Sequence, residues 1–245
     1  MAPSPHGERL LFEGLSFSIR AGEIVDLVGP SGAGKSSLLT AFARLNPHAT
    51  GTMTLDGRNA GSFTPQQWRR AVSYLPQQSI LPGATVADAV RLPFTLSVRA
   101  GAGISGPDGA DVTRRGLARF FQGNESRARE LLPDGRIRAT LDSMGCEDID
   151  LDCPPHDLSG GQAARVSLAR TLLTEPKVLL ADEVDAGLDD SNAAKVASIM
   201  ADAAGRGMAI VRIRHRPPDG RATRIATLEN GRLTWRMDPT QEAHA

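Results

Sequence analysis

Apolar positions along this chain fall into short blocks whose spacing switches between the strand and helix periods. Leu10 to Ile19 alternates loosely and stops at Ala21-Gly22, which predicts a strand and a turn. Thr52 to Leu55, before Asp56-Gly57, predicts another strand, and the two would form a small antiparallel sheet. Ile24 to Val28 is a compact apolar run that ends in a glycine-rich loop, after which Leu38, Phe42 and Leu45 recur at helical spacing. Asp26 interrupts that run, where a strand covered on both faces would be apolar throughout, so it calls for a hydrogen-bonded or partly wet site. After Pro176 the runs Val178 to Ala181, Met208 to Ile213 and Arg224 to Leu228 alternate with helical segments, the βαβ rhythm of a parallel sheet.

Between these halves the pattern weakens. Arg99 to Asp111 is glycine-rich and has too little apolar surface to order itself, which predicts a mobile loop. Arg114 to Phe121 and Glu125 to Leu132 predict short helices, with Arg114, Arg115, Arg119, Arg127 and Arg129 on a solvated face. The fold expected is α/β with a small antiparallel β subdomain and a helical subdomain; because the loop after Ile24 to Val28 reads Gly29-Pro30-Ser31-Gly32-Ala33-Gly34-Lys35-Ser36, the parallel-sheet core resembles the P-loop NTPase (RecA-like) type. The division expected is 1–77 for the antiparallel strands and the phosphate-loop core, 78–157 for the helical part, and 158–245 for the rest of the core. No internal repeat is evident, so a single unit is expected.

Composition narrows the possible functions. Lys+Arg and Asp+Glu both number 28, so no global basic field exists to hold nucleic acid by counterion release. The longest apolar runs fall far short of the ~20 residues needed to cross a bilayer. Met1 to Gly7 has no secretory pattern, which leads to the expectation of a cytoplasmic protein. Cys146 and Cys153 are too few for a disulfide framework and are read as free thiols; His156 near Cys153 makes a zinc site conceivable, but an exposed loop fits better, since a structural zinc wants four ligands.

Gly29-Pro30-Ser31-Gly32-Ala33-Gly34-Lys35-Ser36, with Ser37 after it, fits G-x-x-x-x-G-K-[ST] and lies between a predicted strand and a predicted helix, the setting this motif requires. Its glycines let backbone amides curl around phosphate oxygens, Lys35 would reach the β- and γ-phosphates, and the Ser36 hydroxyl would ligate Mg²⁺. Val178 to Ala181 closes in Asp182-Glu183. Asp182 suits a Mg²⁺ shell, and Glu183 could accept a proton from water attacking the γ-phosphate. Leu158-Ser159-Gly160-Gly161-Gln162 opens a helix over Ala163 to Glu175, with Ser159 as a plausible cap and the glycines leaving amides bare for an anion.

With the phosphate loop and Leu179 to Glu183, the string LSGGQ resembles the ABC ATPase family, over nearly the whole chain from about Leu10 to Leu233. In the pattern of that family Gln77 is similar to the glutamine that contacts metal and attacking water and couples to the membrane partner. Leu188-Asp189 resembles the D-loop, and His215 resembles the switch histidine that touches the γ-phosphate. His6-Gly7 falls where an adenine-stacking aromatic usually stands, a role an imidazole fills less well, and Val184 replaces a common proline. The resemblance implies ATP and Mg²⁺ as cofactors, held between two cassettes with Ser159 and Gly161 acting in trans. It also implies a membrane-spanning permease as partner and a peripheral position on the cytoplasmic face of the cell membrane.

The region after Gln77, up to about Pro155, would dock that permease. Arg70 to Pro93 and Asp182 to Asn192 carry a fainter likeness to ATPase subunits of iron exporters. A soluble ABC ATPase of DNA repair or translation is the alternative, disfavoured by the lack of a coiled-coil insert or paired cassettes. A small-molecule kinase would lack LSGGQ, and a nonhydrolysing regulator would release no phosphate.

Overall fold

The computed structural model describes residues 2–4, 7–96 and 125–238, and these form two compact units. The first unit, Met1–Gln78 with Glu175–Ala245, contains every strand among the described residues. It opens with the short hairpin β1 (Ala2–Ser4) and β2 (Gly7–Arg9), followed by β3 (Ile24–Val28). Next come α1 (Lys35–Phe42), the two-residue strands β4 (Thr54–Leu55) and β5 (Arg58–Asn59), α2 (Pro65–Ala71) and β6 (Val72–Leu75). After the second unit the chain returns through β7 (Val178–Asp182), α7 (Asp190–Gly205), β8 (Ala209–Ile213), β9 (Arg224–Glu229) and β10 (Arg232–Met237).

The main sheet has the order β10-β9-β3-β8-β7-β6, parallel from β9 to β6 and closed by the antiparallel edge strand β10. Val25, Leu27, Leu180, Val211, Ile213 and Ala226 point into one core with Leu38 and Leu39 of α1, all of them nearly inaccessible. Parallel strands covered by helices must be apolar on both faces, which is why β3, β7 and β8 read as continuous runs in the sequence.

The second unit, Ser79–Thr174, is helical: α3 (Val86–Thr95), the helical residues 125–131 (α4), α5 (Asp134–Ser143) and α6 (Gly160–Leu173). Helices α3, α5 and α6 pack on one another. Helix α6 therefore belongs with the helical unit rather than with the residues after 158 as the sequence division had it, because it packs on α3 and α5.

Other expectations also shift. Residues 10–19 form no strand, although Phe12, Leu15, Phe17 and Ile19 do pack against the main core; the alternation marks a half-buried extended stretch with no ladder partner. Leu45 lies beyond the end of α1 and is 46% exposed. His156, after the half-buried Cys153, is exposed as the loop reading expects, whereas Cys146 is buried and Arg165 Nε donates to its Sγ at 3.0 Å. Burial pushes the Cys146 thiol above its ordinary pKa despite that arginine. Arg127 and Arg129 are exposed, as a solvated face requires. The glycine-rich Arg99 to Asp111, the helix expected over Arg114 to Phe121, and His6 lie outside the described residues.

Candidate nucleotide site

Parallel strands bring the sequence motifs to one edge of the main sheet. Register sets their height: Leu75 of β6 pairs with Ala181 of β7, and Asp182 of β7 pairs with Ile213 of β8. Gln77 stands two residues past Leu75, Glu183 two past Ala181, and His215 two past Ile213. Residues far apart in sequence thus leave adjacent strands almost level, at the carboxyl ends where open α/β sheets bind ligands.

Contacts follow from that register. Gln77 Nε2 donates to Glu183 Oε2 at 2.9 Å, and His215 Nε2 lies 2.7 Å from Glu183 Oε1. One carboxylate is thereby held at both oxygens by side chains from the ends of β6 and β8. Glu183 adopts φ 52°, a left-handed conformation uncommon for a residue with a side chain, while its N–H donates to the Ile213 carbonyl at 3.2 Å. Such strain persists where surrounding contacts over-determine it, and here those contacts are Gln77, His215 and Ile213.

Next to it, Asp182 is buried, and the Tyr74 hydroxyl donates to its Oδ2 at 2.9 Å. Burial, and then this bond, push the Tyr74 phenol well above its ordinary pKa, so it remains a donor. Asp182 Oδ1 is buried with no hydrogen-bond partner among the described residues. An unpartnered buried carboxylate oxygen is costly unless a cation satisfies it, so Asp182 fits a Mg²⁺ site together with the exposed Ser36.

The loop Gly29 to Gly34 joins β3 to α1. Gly29, Gly32 and Gly34 take φ of 147°, 75° and 96°. A Cβ on Gly29 would stand 2.1 Å from the Leu228 carbonyl oxygen, so β9 leaves room for hydrogen alone. Gly29→Ala should therefore cost about 3 kcal/mol of stability, to be read by urea unfolding. Lys35 is buried and its Nζ donates to the Gly29 and Pro30 carbonyls at 2.8 and 3.1 Å, which curls the ammonium into the loop. Gly34 occupies the cap position of α1 without a side-chain cap, so the first amides of the helix are not engaged by a capping residue.

Ser159 lies in the second unit, where it caps α6. Its hydroxyl accepts from Gln162 N–H at 3.3 Å, and Gln162 Oε1 accepts from Ser159 N–H at 2.9 Å. Gln162 thus completes a reciprocal capping box rather than facing outward as a free ligand group. Asp189 likewise caps α7, accepting from Asn192 N–H at 2.8 Å, and that bond holds its carboxyl below the ordinary aspartate range.

Sequence reasoning missed one feature. Asp26 faces Arg212 across the β3–β8 ladder, and Arg212 Nε donates to Asp26 Oδ1 at 2.5 Å. Arg212 Nη2 also donates to Asp219 Oδ1 at 2.7 Å, while Arg214 reaches Asp185 through Nε at 3.0 Å. Arg214 Nη1 stands 2.8 Å from Asp219 Oδ2, off the hydrogen-bonding direction. This buried network links the strand before the phosphate loop to the residues after Glu183. Burial raises the Asp26 pKa against the pull of Arg212; at Asp219 burial also raises it, but the bond from Arg212 prevails and the carboxyl sits below its ordinary range. The signal was available: two buried runs each interrupted by one charge, of opposite sign.

A phosphate loop, an orphaned aspartate oxygen and a glutamate held from both sides define a P-loop nucleotide site. The ABC transporter family model matches residues 12–186, and the chain belongs to that family as an ATP-binding ABC ATPase cassette. The probable iron export ATP-binding protein FetA of Escherichia coli K12 is 34% identical over 186 residues, 76% of this chain and 69% of that protein. The mycobactin import ATP-binding/permease protein IrtB of Mycolicibacterium thermoresistibile is 35% identical over 93% of this chain, and the macrolide export ATP-binding/permease protein MacB of Salmonella typhimurium is 31% identical over 98%. This chain spans about a third of the full length of those two relatives, 35% of IrtB and 33% of MacB.

Among solved structures, a bacterial Atm1-family ABC exporter with ATP bound superposes with TM-score 0.68 at 27% identity, covering 92% of this chain and 35% of that one. A dimeric ATP-binding cassette in a post-hydrolysis state, bound to ADP and Pi, gives TM-score 0.69 at 23% identity over 93% of this chain and 90% of that one, a likeness of fold. Among the described residues no helix is long and apolar enough to cross a membrane.

Proposed function

We propose that this chain is the nucleotide-binding subunit that powers solute transport through a separate membrane-spanning permease. MgATP would be sandwiched between two cassettes, with Ser159 and Gly161 of each serving the nucleotide held by the other. The observation that carries this reading is the Glu183 carboxylate, bonded to Gln77 on one oxygen and to His215 on the other, beside Asp182 with its orphaned Oδ1.

Lys35 and the amides of the phosphate loop bind and orient the β- and γ-phosphates. Ser36, Asp182 and the carbonyl oxygen of Gln77 would hold Mg²⁺, which supplies charge neutralisation at the phosphate oxygens when bound. Glu183 accepts a proton from the attacking water, and the bonds from Gln77 and His215 fix the carboxylate for that transfer. Asp189 belongs to the segment that would face the second cassette.

Transport rather than a soluble repair or translation machine is supported by the exporters and importers to which the chain is similar, FetA, IrtB and MacB. The same similarity supports a position on the cytoplasmic face of the membrane, reached through the permease. Lys35→Ala should weaken ATP affinity by at least about 30-fold, since it removes the buried cation nearest the loop. Titration with a fluorescent ATP analogue checks this, and affinity within about threefold of the parent would sink the assignment of the loop.

A further inference from the structure

His215 stands between two arginines, and both reach the same short stretch of chain. Arg214 Nε donates to Asp185 Oδ2 at 3.0 Å, with both side chains largely buried. Arg216 Nη1 donates to Asp190 Oδ1 at 2.6 Å, and its Nη2 donates to the Leu188 carbonyl. Ile213 and Glu183 are joined through the backbone, and His215 meets the Glu183 side chain. Residues 213–216 are therefore laced to residues 183–190 at several successive points.

Magnitudes distinguish a brace from a positioning device. The His215 side chain is 55% exposed, so packing does little to fix its rotamer, and its place over Glu183 depends on how firmly the flanking backbone is held. Asp190 is fully exposed and its pair with Arg216 adds little to stability. The bond from Arg216 to the Leu188 carbonyl instead ties the loop directly after His215 to the turn that precedes Asp189. As a stabilising contact this arrangement is weak; as a constraint on where the imidazole sits it is direct.

We propose that Arg216, with Arg214 behind it, is a positioning residue that keeps His215 in register with Glu183 and makes that register answer to the 188–190 turn. The inference rests on the proposed roles of Glu183 and His215 in hydrolysis. Displacement of the turn, whose Asp189 would face a second cassette, would then be felt at His215 through the arginine.

The test is steady-state phosphate release and thermal unfolding of Arg216→Ala and Arg216→Lys, each in the parent and in the His215→Ala background. Arg216→Ala should lower kcat about tenfold with KM for ATP within about threefold and Tm within about 2 °C, since little stability rides on the exposed pair. Arg216→Lys, able to keep one acceptor, should regain part of the rate. In the His215→Ala background, at protein concentrations that resolve its residual rate, Arg216→Ala should add no loss, because the arginine acts only through the imidazole. A kcat within twofold of the parent, or a further tenfold loss in the His215→Ala background, overturns the proposal. Glu183→Gln in the same assay separates the two ideas: if it stalls turnover while Arg216→Ala does nothing, this inference fails alone, and if it turns over normally, the underlying reading of the site fails.

Discussion

Glu183→Gln is expected to reduce steady-state phosphate release by about 10² to 10⁴-fold while leaving ATP affinity within about threefold. An amide keeps the shape of the carboxylate and can still meet Gln77 and His215, whose contacts at 2.9 and 2.7 Å hold the present side chain. It cannot take a proton from water. The substitution therefore divides two roles that the geometry alone allows. If Glu183 only held Gln77 and His215 apart, Gln would serve nearly as well and the rate would fall by a few-fold. If Glu183 is the base, the rate collapses and ATP-bound protein accumulates. A phosphate-release assay with equilibrium nucleotide binding on the same preparation reads both, and a rate within tenfold of the parent argues against the base.

The second large effect concerns stability. Arg212→Ala should destabilise the protein by about 3 to 5 kcal/mol, because it takes from Asp26 its hydrogen-bonded cation in a site where Arg212 is 3% and Asp26 5% exposed, leaving Arg214 at 3.8 Å. For a chain of this size that corresponds to a fall in Tm of roughly 10 °C. Removing both charges of the ladder pair, Asp26→Leu with Arg212→Leu, should cost less than the single change, since no unpaired Asp26 remains. Circular dichroism during thermal unfolding gives both values. A single variant within 1 kcal/mol of the parent would mean that water reaches the network and that its charges are solvated.

Much of the site was legible in the sequence because its residues are fixed by motif and by strand ends. Glu183 was read from the pair of acids that closes its strand, and Gln77 and His215 were assigned by resemblance; the sheet register explains why they meet, since neighbouring parallel strands end at one height. Strands β3, β7, β8 and β9 announced themselves as apolar runs, and Ser159 as a cap. The failures have physical causes. Leu10 to Ile19 has strand-like alternation, but pairing is a tertiary fact that a half-buried stretch does not reveal. Strand β10 alternates polar and apolar residues as an antiparallel edge should, yet it has no continuous apolar run of the kind that marks the inner strands, and that hid it. Asp26 stood out as an anomaly in one strand; only the register with β8 pairs it with Arg212.

The central claim is that ATP joins two copies of this cassette, each completing the other's site through Ser159 and Gly161. Light scattering on Glu183→Gln with Mg²⁺ and either ATP or ADP tests it most directly. The account predicts twice the monomer mass with ATP and the monomer mass with ADP, and loss of the ATP-dependent species when Ser159→Arg is added. A mass that stays monomeric with saturating ATP, or a dimer indifferent to nucleotide and to Ser159, would contradict it.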